Sequence, residues 1–350
     1  MYRILPKSML SLFVLVLPLI SFANSPLDIK KSAPQSYIVV KGDTLWDISA
    51  MYLASPWLWP RLWQVNEYIE NPHLIYPGDK LNLVWRDGQP ILTLKPMVKL
   101  SPKVRVLDKQ AVPVVRDSLL LPYLEFDRLM TRTQLDQEAR VLGSSHGKHF
   151  FASDELLYIT GEQHQSKWGI FHPTETYTRG EHQVVLLKQV AWATLHSSDQ
   201  QISGLQVTKQ VQEILRDDIA LPIIDPASSP LNSRFYPQPS PPEMTAQILG
   251  AVDGGQYLAK DQVVVIDQGT DDALVQGSTF ELYQQASPIT AFEGDSQLIQ
   301  QAKENNLQLP NFRIGSLMVI RPYQYFSLAL ITESQQPVGL DAIVQAPVSP

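Results

Sequence analysis

The pattern of apolar and polar positions between residues 37 and 85 predicts a compact unit that runs strand, helix, helix, strand. Apolar, β-branched residues predict a first strand, and apolar residues then recur every three or four positions, the spacing of an amphipathic helix. The apolar positions that define the two helices are Leu45, Ile48, Tyr52, Leu58, Leu62 and Val65. Turn residues separate the elements at Lys41–Asp43, Pro56 and Tyr76–Asp79. About fifty residues therefore form one small α+β unit.

Beyond residue 86 the pattern changes to short strands with turn residues between them. Residues 86–102 are expected to be a linker or an edge strand, and a short helix is expected around Thr133–Val141. From Phe150 onward the runs are typical of a small barrel or a sandwich. The predicted strands are Lys103–Val106, Leu156–Ile159, Thr176–Thr178, Gln183–Leu187, Val190–Leu195, Gly204–Lys209, Gln247–Val252, Tyr257–Leu258, Gln262–Asp267, Thr279–Tyr283, Gly315–Arg321 and Tyr325–Ile331.

Two stretches of this β-rich region resemble each other and suggest a duplication. Three pairs of segments can be aligned at low identity: Leu157–Gly161 with Val264–Gly269, Leu205–Val207 with Ala329–Ile331, and Ile214–Ile219 with Val338–Ile343. Alternating strands of unrelated origin also look alike, so that alternative stays open.

Length and charge limit the classes of function. The chain has 350 residues, enough for two or three domains, and a formal net charge of −7, which argues against a nucleic-acid binder. It contains no cysteine, which excludes disulfides, thiolate metal sites and cysteine nucleophiles.

The N-terminus has the pattern of a secretory signal peptide. Arg3 and Lys7 precede the uncharged apolar run Met9–Ile20, and the small residues Ser21 and Ala23 predict cleavage after Ala23. An uncleaved membrane anchor is the alternative, although the run is short for a span of about 20 residues. Export would place the protein in the periplasm, without a transmembrane span after cleavage.

The predicted organisation has seven parts. The parts are a signal peptide at 1–23, a flexible leader at 24–36, the α+β unit at 37–85, a linker and mixed segment at 86–149, a first β-rich block at 150–222, a proline-rich hinge at 223–242 and a second β-rich block at 243–346.

Two stretches of the α+β unit carry a specific family resemblance. Val40–Ile48 (VKGDTLWDI) and Asn71–Leu81 (NPHLIYPGDKL), with Asn66 before the second, resemble the two signature stretches of the lysin-motif (LysM) family. The resemblance implies a βααβ fold with both helices on one side of a two-stranded antiparallel sheet. It also implies binding of N-acetylglucosamine polymers, mainly peptidoglycan and chitin, in a shallow groove between the first strand–helix loop and the second helix–strand loop.

Carried over by position, the resemblance implies a groove made of backbone amides and apolar side chains. Its residues are Gly42, Asp43, Thr44, Leu45, Asn71, Leu74, Ile75, Tyr76 and Pro77. Each could instead serve only as a helix cap, a turn residue or a packing residue. Trp59 and Trp63 are expected to fill the core, and Trp57 is the candidate for an exposed aromatic that stacks on a sugar or a partner. The tryptophan-rich segment and long β-rich tail resemble uncharacterised envelope proteins of Gram-negative bacteria.

No set of residues predicts catalysis, a metal site or a cofactor. His146 and His149 are the closest histidine pair, but the motifs of zinc peptidases and serine acyl enzymes are absent as sets. The sequence thus favours non-catalytic peptidoglycan binding, with the β-rich tail contacting other envelope proteins. A wall hydrolase or hydrolase activator, and a protein-interaction scaffold with a vestigial LysM fold, are the two alternatives.

Overall fold

A computed structural model describes residues 27–63, 75–86, 88–95, 112–124, 128–144, 156–223, 235–286, 296–297 and 309–348. The predicted signal peptide and its cleavage site at Ala23 lie outside these residues, as do Asn66, Asn71, Leu74, His146, His149 and the strand predicted at Lys103–Val106. None of the helices in the described ranges has the length and apolar character to cross a membrane.

The N-terminal unit has the predicted order of strand, helix, helix and strand. Its elements are strand β1 (Ser36–Ile38), helix α1 (Leu45–Tyr52), a 3₁₀ turn (Pro56–Leu58), helix α2 (Trp59–Trp63), strand β2 (Lys80–Arg86) and strand β3 (Gln89–Lys95). The three strands form an antiparallel sheet in the order β1-β2-β3, so the structure has one strand more than the implied two. Strand β3 is the edge strand expected after residue 86, and an edge position tolerates its Pro90.

The helices form where the apolar spacing predicts them. Leu45, Ile48 and Tyr52 in α1 are fully buried, and Trp59 and Trp63 in α2 are at most 1% exposed. The prediction that these two tryptophans fill the core is confirmed.

A short helical segment follows and leads into the β-rich region. Helix α3 spans Asp117–Leu124, strand β4 spans Leu129–Met130 and helix α4 spans Arg132–Leu135. The helix predicted at Thr133–Val141 is therefore wrong in extent, because strand β5 begins at Ala139. Thr131 and Gln134 form a capping box that starts α4, and the apolar alternation after it belongs to a strand.

The first β-rich sheet is a ring of six strands with β4 at its side. The strands are β5 (Ala139–Ser144), β6 (Leu156–Thr160), β7 (Lys167–Arg179), β8 (His182–Ser198), β9 (Ile202–Gln210) and β10 (Ile219–Pro222). The order β4-β8-β7-β10-β5-β6-β9 is closed by pairing between β8 and β9, so we call β5–β10 the first barrel. The two strands predicted at Gln183–Leu187 and Val190–Leu195 form a single strand, because Lys188 and Gln189 between them pair with His172 and Phe171 of β7. Val190 is the one extra residue at the register shift that follows.

The second β-rich sheet follows the same plan. Its strands are β11 (Gln238–Pro239), β12 (Thr245–Ala246), β13 (Ile248–Ala251), β15 (Val263–Ile266), β16 (Ser278–Gln284), β17 (Phe312–Pro322), β18 (Ser327–Ser334) and β20 (Ile343–Gln345). The order is β12-β20-β16-β17-β18-β15-β13, and the two end strands are separated only by Gln247. We call these strands, without β11, the second barrel. Strands β14 (Tyr257–Leu258) and β19 (Val338–Gly339) form a separate two-stranded ribbon.

The two barrels have the same connectivity when β12 and β13 are counted as one interrupted strand. In both, the second strand pairs with the first and the fifth, and the third pairs with the fourth and the sixth. The segments aligned from sequence also occupy matching registers, since Leu157 pairs with Leu205 and Val264 pairs with Ala329.

One hydrophobic cluster joins the N-terminal unit, residues 112–124 and both barrels. It contains side chains from α1, α2, residues 112–124 and both barrels, whereas each barrel also has an interior cluster of its own. The N-terminal unit is therefore packed onto the barrels.

Candidate functional site

Two tight turns of the same design lie side by side in the N-terminal unit. In the first, Val40–Asp43, the Val40 N–H donates to Asp43 Oδ2 (2.9 Å); in the second, Tyr76–Asp79, the Tyr76 N–H donates to Asp79 Oδ2 (2.9 Å). The third residue is glycine in both, with φ of +100° at Gly42 and +97° at Gly78. Only glycine adopts such angles without strain, which explains the shared Gly-Asp pair.

Val39 holds the two turns together. Its N–H donates to the Asp79 carbonyl (2.9 Å), and its carbonyl accepts from the Gly78 N–H (2.7 Å). Tyr37 adds a hydrogen bond from its hydroxyl to Asp43 Oδ2 (2.9 Å), and burial together with this carboxylate raises the pKa of Tyr37. The two predicted sides of the groove are thus a single connected unit.

Thr44 starts helix α1. Its Oγ1 accepts from the Asp47 N–H (3.0 Å) and donates to Asp47 Oδ2 (2.8 Å). Thr44 is therefore the N-cap that the sequence allowed, and Asp43 closes the preceding turn.

The described groove residues divide into an accessible rim and a covered floor. Gly42 and Pro77 are exposed, and Asp43 and Tyr76 are half-buried. The floor is made of Thr44, Leu45 and Ile75, which are at most 2% exposed.

A distant segment of the same chain covers this floor. Residues Val112–Val115, which we call the strap, lie across the start of α1 and the second turn. The Leu45 N–H donates to the Pro113 carbonyl (2.8 Å), and the Trp46 N–H donates to the Val114 carbonyl (3.0 Å). On the opposite side, the Val112 N–H donates to the Ile75 carbonyl (2.7 Å). The strap is thus hydrogen-bonded to both sides of the groove.

Two ion pairs connect this region to the loop that follows β14 in the second barrel region. Lys260 Nζ lies 2.9 Å from Asp47 Oδ1, and Arg116 Nη2 lies 2.7 Å from Asp261 Oδ2. Burial tends to raise the pKa of Asp47, but the hydrogen bonds from Lys260 and Thr44 lower it overall. The strap therefore lies between the N-terminal unit and the second barrel.

The aromatic residues are distributed differently from the expectation. Trp57 was predicted to be exposed, but it is only 8% exposed because its ring packs into the shared cluster. In the described part of this unit, the largely exposed tryptophan is Trp85, at 63%, near the end of β2. The alternation of β2 gave no signal for this exposure, since it places Trp85 on the same face of the strand as the buried Leu81. Trp59 stacks on Tyr236, with ring centroids 5.5 Å apart.

Potentially reactive side chains elsewhere are tied into structural contacts. His172 Nδ1 lies 2.7 Å from Asp218 Oδ1, and burial raises the pKa of Asp218. Across the residues that the structure describes, no group of three or more His, Cys, Asp or Glu side chains is arranged to hold a metal ion.

Comparison with known proteins agrees with this geometry. Residues 37–84 match the LysM domain family, so this unit is a LysM domain. The uncharacterized protein YqbP of Bacillus subtilis (strain 168) is 40% identical over 63 residues, which cover 15% of this chain and 29% of YqbP. The similarity therefore spans less than a third of that relative.

Proposed function

We propose that this protein binds N-acetylglucosamine-containing strands of peptidoglycan through its LysM groove, without catalysing a reaction. The observation that carries the proposal is the LysM match, in which the two signature turns are held against each other through Val39. LysM domains in general bind glycans of the peptidoglycan or chitin type.

The rim and the floor of the groove supply different contacts. At the rim, the exposed Gly42 backbone and Pro77 side chain, together with the half-buried Tyr76 ring, would contact a sugar ring and its hydroxyls. At the floor, Leu45 and Ile75 would offer backbone polar groups and an apolar surface for the N-acetyl methyl group once the strap no longer covers them. Asp43 and Thr44 support these contacts by closing the turn and capping α1, and Asn71 and Leu74 belong to the proposed second side.

We further propose that the signal peptide directs the protein to the periplasm and that the barrels contact other envelope proteins. The two barrels share one strand order, which is what duplication of one ancestral barrel would produce. The barrels would then be a paired interaction module that the LysM domain brings to the cell wall.

Sedimentation with purified peptidoglycan sacculi tests the proposal on the full chain. The Tyr76→Ala variant is expected to weaken binding about tenfold, because it removes an aromatic side chain from the rim. Trp85→Ala is the matched control, since this aromatic lies outside the groove, and it should sediment like the wild type. The proposal fails if folded wild-type protein does not sediment, or if Tyr76→Ala has no effect.

One observation favours a second candidate function. The strap already occupies the floor, as it would in a scaffold whose LysM groove serves only to hold the chain together. In that case a protein partner would co-purify with the chain, and sacculi would not retain it.

A further inference from the structure

We propose that the strap is an internal ligand of the LysM groove and that glycan binds at the floor only when the strap leaves. This inference rests on the proposed glycan binding and concerns its regulation. It starts from three backbone groups, the Leu45 N–H, the Trp46 N–H and the Ile75 carbonyl, all of which bond to the strap.

Two of these groups need a partner from outside the helix. The N–H groups of the first helical turn have no acceptor within α1, and a buried polar group without a hydrogen bond is costly. Thr44 caps the Asp47 N–H, and the strap carbonyls satisfy the N–H groups of Leu45 and Trp46. Whatever replaces the strap must therefore accept hydrogen bonds from both of these N–H groups.

An N-acetyl group has the required chemistry. It is a secondary amide, like the peptide groups of the strap, with one N–H donor, one carbonyl acceptor and a small apolar methyl group. Its carbonyl oxygen has two lone pairs and could accept from both N–H groups at the start of α1, while its N–H donates to the Ile75 carbonyl. Because strap and sugar would use the same atoms, they cannot occupy the floor together.

The packing of the strap makes the closed arrangement the stable one without ligand. Val112, Val114 and Val115 are 4%, 0% and 5% exposed. The ion pair after the strap, Arg116 with Asp261, is partly exposed and so contributes little to holding it. When the binding-competent state is a small fraction of the molecules, the apparent affinity falls by that fraction. The strap thus sets the strength of glycan binding.

The test compares two buried valines of equal exposure. Val114→Ser weakens the strap, whereas Val344→Ser places the same defect inside the second barrel, since both side chains are 0% exposed. A second strap variant, Val112→Pro, removes the N–H that donates to the Ile75 carbonyl, and it also replaces a buried valine side chain. The probe is a soluble oligomer of N-acetylglucosamine, titrated against the full chain by calorimetry.

The two strap variants are expected to bind the oligomer at least about tenfold more tightly than the wild type. The affinity of Val344→Ser should stay within about twofold of the wild-type affinity. In wild-type protein, saturating oligomer should speed hydrogen exchange at the Val112 amide and leave the amide of Val264, whose side chain lies in the interior cluster of the second barrel, unchanged. The inference is overturned, with glycan binding intact, if all variants bind alike or if the Val112 amide stays protected in the complex. If no variant binds although exchange shows the strap released, glycan binding itself is refuted and the inference with it.

Discussion

Arg179 of the first barrel forms a two-point ion pair with Asp272 of the second barrel region. Arg179 Nη1 lies 2.5 Å from Asp272 Oδ2 and Nη2 lies 2.8 Å from Oδ1, and Nη1 also donates to the Tyr325 carbonyl (3.1 Å). Beside it, the His182 ring stacks on Tyr325 with centroids 3.4 Å apart. The tip of the β7–β8 hairpin is therefore one of the contacts that hold the barrels together, beside the shared hydrophobic cluster.

Replacing Arg179 by methionine should lower the free energy of unfolding by about 1–3 kcal/mol, because a paired, partly buried carboxylate loses its charged donors. Urea unfolding measures this change. In a double-mutant cycle with Asp272→Asn, the two effects should not add, with a coupling energy of about 1 kcal/mol. Arg140→Met is the control, since its partner Asp136 is largely exposed, and should change stability by about 0.5 kcal/mol or less. Additive effects would contradict the coupling.

The Arg179–Asp272 ion pair also predicts that the stability of the protein decreases at low pH. The hydrogen bond from Arg179 holds the pKa of Asp272 below its ordinary value. A carboxyl group whose pKa is lowered by folding stabilises the folded state fully when the pH is above its unfolded pKa of about 3.9. This stabilisation is lost as the pH falls through the pKa of the folded state. Wild-type stability should therefore fall more steeply below about pH 4 than that of Asp272→Asn. Parallel pH profiles of the two proteins from thermal unfolding would argue against this role.

The LysM core should depend on Trp63 far more than on Trp85. Trp63 is 1% exposed, and Trp63→Ala is expected to destabilise the domain by about 3–5 kcal/mol because it leaves a cavity. Trp85→Ala, at an exposed position, should change stability by less than about 1 kcal/mol. Chemical denaturation followed by circular dichroism distinguishes the two, and equal losses would mean that the assigned core is wrong.

The substitution Gly78→Ala should destabilise the second turn because of the backbone conformation at this position, and not because of a steric clash with another residue. A Cβ there would meet no atom within 4 Å, but the φ of +97° is unfavourable for alanine. We expect a loss of about 1–2 kcal/mol, measured by thermal unfolding. Lys41→Ala, at an exposed position of the first turn without a positive φ, is the control and should be nearly neutral. A stable Gly78→Ala variant would mean that the turn tolerates another geometry.

The LysM domain could be predicted because its signals are local. Each turn is determined by a Gly-Asp pair next to a strand, and each helix by apolar spacing within one or two turns. The strap could not be predicted, because Val112–Val115 is a short apolar segment whose partner, the start of α1, lies far away in the sequence. Apolar character indicates that such a segment is buried but does not indicate against what.

The errors in the β-rich region have the same origin. Polar residues inside β8 suggested a break, whereas Lys188 and Gln189 pair with β7 next to a one-residue register shift. Trp57 follows a helix-breaking proline, which suggested exposure, yet packing across the chain buries its ring. Local pattern therefore located most elements, and long-range contacts decided their lengths and their covered faces.

The shared hydrophobic cluster has a mechanical consequence. A LysM domain at the end of a loose tether could hold a glycan strand while the rest of the protein tumbled. Here side chains of the LysM domain, residues 112–124 and both barrels form one packed interior, so the parts turn together. A glycan strand bound to this domain would therefore fix the orientation of both barrels relative to the wall. Every bound molecule would then expose the same barrel surface.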